Sequence, residues 1–152
     1  MPAAVHDRMR LSAASATSAL DTLVEVAWES TEAEILELCR LRIAAMLGDD
    51  VGLVRSAAER GAPSAEKVAA LGSWWNSDLF SERERARIAF TEQFVTSVAS
   101  MTDDDVDALL AHDSDEETYR FVSAVYAMDA ATRACLVSRA LFADDDAPAA
   151  QR

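Results

Sequence analysis

The residues best placed to do chemistry are charged groups set inside apolar helical stretches. Glu37 sits among Ile35, Leu36, Leu38 and Cys39, and Arg40 follows it at i+3. A carboxylate carried into a core must be paired or protonated. An ion pair there adds little net stability, so Glu37 and Arg40 form either a pair at a core edge or subunit contact, or a proton-handling group in a pocket. Asp49 directly follows Gly48 at the expected start of a third helix, where the helix dipole favours negative charge. It reads as an N-cap, and as a general acid or base only if a lined pocket lies beside it. Arg42 lies roughly 140° around the helix from Glu37 at about 100° per residue. Its expected partner is a carboxylate elsewhere, on a neighbouring subunit for instance, or an anionic ligand.

The other candidates are weaker. Cys39 and Cys135 stand 96 positions apart, each in an apolar stretch where free cysteine serves as a small buried hydrophobe. No C-x-x-C and no metal-ligand spacing occurs, so neither a disulfide framework nor a metal or cofactor site is expected. His6, in the leader, and His112, beside Asp113, have no ligand partner at usable spacing and are read as solvated. Trp74 and Trp75 are adjacent and cannot face the same way: one should anchor a loop on the core and the other should face a neighbouring subunit. No Ser/His/Asp arrangement, glycine-rich phosphate loop or basic stripe can be assembled.

These groups are positioned by helices. The 152 residues fit one domain, and only four Gly and three Pro are present, which favours helix over a many-turned sheet. A first helix is expected from near His6–Arg10 to about Trp28, and a second over 32–47, capped by Ser30 or Thr31 and ended by Gly48. The second is apolar around nearly its whole circumference and should be buried. A third helix should run to about Arg60 and a short one from Ser64 to Leu71, followed by a loop over Gly72–Phe80. Capping boxes at Ser81–Glu84 and Ser114–Glu117 should start helices of about 82–98 and 115–142, with a short helix from Thr102 to about Ala111 between them. The count is about seven helices, arranged as a leader and helix over 1–29, a helical domain over 30–142 and a disordered acidic tail over 143–152.

A net charge of −13 disfavours nucleic acid and anionic membrane as partners. The acidic runs Asp103–Asp107, Asp113–Glu117 and Asp144–Asp146 read as solubility plus helix-start chemistry. No signal sequence or membrane span is expected, and the expected location is the cytoplasm.

Three stretches together resemble the carboxymuconolactone decarboxylase / alkylhydroperoxidase D-like family. They are Glu37-Leu38-Cys39-Arg40-Leu41-Arg42; the run from Trp74 through Ser77, Leu79 and Phe80 to Ser81-Glu82-Arg83-Glu84-Arg85-Ala86; and the last helix through Asp129 and Arg133. The resemblance spans roughly residues 30–142. It implies the all-α, single-domain alkylhydroperoxidase D-like fold and a homo-oligomer, whether trimer, dimer or hexamer. It also implies that Glu37 occupies the place of a proton-relay glutamate. Family peroxidases carry C-x-x-C and then a histidine where this chain has Asp49, Gly52 and Ser56. Without a thiolate attacker and a resolving sulfur, peroxiredoxin-type antioxidant chemistry has no route. Two functions follow: a non-redox oligomeric binding or structural module, or a non-thiol, decarboxylase- or lyase-like enzyme. The enzyme would act on a small organic anion with Glu37 and Asp49 as acid/base groups.

Overall fold

The computed structural model describes residues 3–49, 52, 54 and 61–142. The expected third helix, Ser56 and the tail 143–152 lie outside the described residues. Six α-helices are seen within them: α1 (Ala3–Ser30), α2 (Ala33–Leu47), α3 (Ala65–Ala70), α4 (Glu82–Ser97), α5 (Asp103–Leu110) and α6 (Asp115–Phe142). Two 3₁₀ segments, Leu71–Asn76 and Val98–Ser100, link them, and no strand occurs among the described residues. The all-α expectation is met.

Local chemistry sets most helix ends. The Ser81 backbone N–H donates to Glu84 Oε2 at 2.9 Å and the Glu84 N–H donates to Ser81 Oγ at 3.2 Å. Ser114 and Glu117 repeat the exchange at 2.9 and 3.3 Å. Each box occupies helix-start N–H groups that would otherwise be orphaned. Gly48 ends α2 with φ of 72°, a left-handed conformation that glycine adopts without steric cost. The start of α2 departs from expectation. Glu32, not Ser30 or Thr31, holds the N-cap position and makes no side-chain cap, because it is drawn into an ion pair with Arg83. The expected loop after Leu71 is instead wound into 3₁₀ turns as far as Asn76.

The largest departure is in α1. A straight helix would hold His6 and Asp21 about 22 Å apart, yet His6 Nε2 lies 3.0 Å from both Asp21 carboxylate oxygens. The backbone leaves helical geometry at Ala13 (φ −154°, ψ 65°), and the leader doubles back along the rest of α1. Met9 thereby packs with Cys135, Leu20 and Leu136.

The main core joins α1, α2, α4 and α6. Leu36, Ile43, Phe121, Val125 and Met128 are fully buried within it. Ala27, Ala124, Ala127 and Ala131 also belong to it, and small side chains permit close helix approach. A smaller cluster of Leu38, Leu71, Phe80 and Ile88 lies on the far side of α2, with Trp74 against it.

Candidate functional site

Because α2 is packed between α4 and α6, its charged residues are carried inside with the apolar ones. Glu37 and Arg40 are each 5% exposed. Arg40 donates from Nε to Glu37 Oε2 and from Nη2 to Oε1, both at 2.8 Å, and from Nη1 to the Val54 carbonyl at 3.3 Å. This two-pronged bond neutralises the carboxylate in place and fixes the guanidinium plane. Two residues past α2, Asp49 is also buried, and its N–H donates to the Ala44 carbonyl at 2.8 Å.

Arg42 finds its carboxylate within the same chain. Its Nε donates to Glu92 Oε1 at 2.6 Å, and Trp74 Nε1 donates to the same oxygen at 2.7 Å. Trp74 is half-buried and anchored, while Trp75 is 52% exposed. Arg85 clamps their turn, donating to the carbonyls of Trp74, Trp75 and Phe80 at 3.2, 3.2 and 3.1 Å, and to that of Ser77. The run from Trp74 to Ala86 is therefore a turn fastened to its own following helix, and Arg85 is spent on backbone oxygens.

Two positions differ from the sequence reading. Asp113, within a run taken as solvated acid, is buried and receives Arg83 Nε on Oδ1 at 2.6 Å and Arg87 Nε on Oδ2 at 2.9 Å. Arg87 is 1% exposed, with its guanidinium carbon 4.8 Å from the centre of the Phe121 ring. No local pattern announces this pair, since its members are 26 residues apart. His6 is likewise not solvated but half-buried against Asp21. His112 is exposed, as expected.

Both cysteines are buried and lie in different clusters. Burial pushes the Cys39 thiol up to about 12, only partly offset by a hydrogen bond with Thr91 and the charge of Arg87. Burial also lifts Cys135 to about 11, with the carboxylates of Asp49 and Asp21 adding to the rise. Neither thiol is a thiolate near neutrality.

A cavity of about 450 Å³ opens where the doubled-back leader meets α6. Its apolar lining is Leu20, Val24, Val54, Ala131 and Cys135. Glu37 and Asp49 are not among its lining residues, although Val54, whose carbonyl receives Arg40, and Cys135, which feels the charge of Asp49, are.

No family model and no curated protein matches the chain. Among solved structures, it is similar to a protein of unknown function from Agrobacterium tumefaciens, suggested to be the antioxidant defence protein AhpD. The two are 25% identical with a TM-score of 0.72 over 86% of this chain and 92% of that one.

Proposed function

We propose that this chain, a member of the alkylhydroperoxidase D-like family, is a non-redox oligomeric module that keeps the family's helical scaffold without its thiol chemistry. The observation that carries the reading is the state of its sulfur. Peroxide reduction needs a thiolate at an accessible, electropositive place and a second sulfur within reach. Both thiols here are buried in separate apolar clusters and held protonated.

Oligomer formation, as a trimer, dimer or hexamer, draws support from the surface. Trp75, Leu79, Tyr119, Tyr126 and Val137 are large, apolar or aromatic, and exposed, side chains that a subunit contact would cover. A cytoplasmic location is part of the proposal; among the described residues no helix is long and apolar enough to cross a membrane. Light scattering tests the assembly and turnover of hydroperoxides and lactones tests the chemistry. A stable oligomer at blank rates is expected; a monomer, or turnover of either substrate, overturns the reading.

A further inference from the structure

We infer that the leader is a hinged lid over a binding site for a small, neutral, apolar molecule. The site lies where three helical faces meet, and each supplies side chains one turn apart. They are His6 and Arg10 from the leader, Leu20 and Val24 from the rest of α1, and Ala131 and Cys135 from α6. The volume of about 450 Å³ falls within the range of small-molecule sites, about 300–1,000 Å³. The division of chemistry between the faces is sharp. Every lining residue of the leader is polar, namely His6, Asp7 and Arg10, whereas both lining residues of α6 are apolar. Val24, Val54, Ala131 and Cys135 are 9, 4, 2 and 0% exposed, so the recess is apolar and its cover is not.

The hinge is Ala13, where the backbone leaves helical geometry and the leader turns back. The latch includes His6 and Arg10, which meet the Asp21 carboxylate at 3.0 and 3.4 Å. Met9 packs against Leu20, Cys135 and Leu136 and is the one buried side chain among residues 6–16. A segment with so little buried surface is the first to open. Opening at Ala13 uncovers the recess without disturbing the main core, to which no residue of the leader belongs. With the leader shut, a ligand is enclosed between it and the apolar walls. An aliphatic or aryl body gains from that burial, whereas a charge of either sign would lose its water there.

The inference gives the non-redox module a ligand class and rests on that reading in treating Cys135 as an inert wall. The test uses three probes of one shape: 4-fluorophenethyl alcohol, 4-fluorophenethylammonium and 4-fluorophenylacetate. Fluorine NMR at neutral pH reads the affinity and release rate of each against the full chain. The alcohol is expected to bind at least about tenfold more tightly than either ion, because only the ions pay for a buried charge. Met9→Ala leaves every lining side chain in place and loosens the lid. It should speed release of the alcohol at least about tenfold, as loss of a buried side chain shifts the opening equilibrium. Ala131→Phe should fill the recess and abolish binding. Should Ala131→Phe fail to fold, the ranking of the probes and the Met9→Ala release rate decide. Equal affinity for the three probes, preference for either ion, no binding of the alcohol, or unchanged release from Met9→Ala overturns the inference. Hydroperoxide turnover, measured separately, would sink the non-redox reading and leave the ranking and the release rates readable.

Discussion

Arg40 grips Glu37 with two hydrogen bonds of 2.8 Å inside a helix that buries both residues. Truncating one member of such a pair is costly because the other, still buried, loses two charge-assisted hydrogen bonds. Arg40→Met should lower unfolding free energy by about 3–5 kcal/mol, read from urea denaturation midpoints. Adding Glu37→Gln should restore much of the loss. A cost for Arg40→Met of under about 1 kcal/mol would show that the pair is solvated in solution.

The buried Asp113 predicts a contrast between two ion pairs. Asp113→Asn weakens the partnership with both Arg83 and Arg87, whose guanidinium is buried against Phe121. It should cost about 3 kcal/mol. Arg120→Ala breaks an exposed i,i+4 pair with Glu116 and should change stability by no more than about 0.5 kcal/mol. Thermal unfolding of the two variants side by side gives the answer; similar Tm shifts would contradict it.

The thiols should be silent in the folded chain. With pKa values near 12 and 11, less than about one molecule in a thousand carries a thiolate at neutral pH. Iodoacetamide should label neither Cys39 nor Cys135 until urea unfolds the protein. The same shifts set an alkaline dependence. A thiol whose folded pKa is raised holds its proton longer when folded, so its contribution is intact below the unfolded value. It is then lost as pH climbs from about 8.5 toward 12. Cys39→Ala should flatten that decline, measured as unfolding midpoints across pH. An unchanged alkaline slope would remove Cys39 as its source.

Deleting residues 1–12 should separate the two cysteines. The leader covers Cys135 through Met9, whereas Cys39 lies in the main core. The truncated chain should stay helical, expose Cys135 to iodoacetamide at a rate at least about tenfold higher, and leave Cys39 protected, as local opening differs from global unfolding. Equal protection of both would mean that the leader is not the cover.

How far the sequence announced this arrangement depends on the range of the interaction. Helix ends governed by neighbours three residues apart were legible: both serine–glutamate boxes and Gly48 stand where the pattern put them. The Glu37–Arg40 pair, one turn apart, was legible too. The reversal at Ala13 was not, because alanine is the strongest helix former and nothing in its neighbours signals a break. With it went the cavity, which the leader lines only because His6 and Arg10 return to Asp21. Asp113 was misread for a similar reason: a run of acids reads as solvated until arginines arrive from another helix. Arg42 meets a carboxylate elsewhere, as expected, but which one was not legible: Glu92 lies 50 residues along its own chain.

The central claim is that the scaffold has no working sulfur. Hydroperoxide consumption with a dithiol donor, measured in parallel for the wild-type chain and the Cys39→Ala/Cys135→Ala variant, addresses it directly. Both should run at the rate of the donor alone. Consumption by the wild type that disappears in the variant would contradict the account.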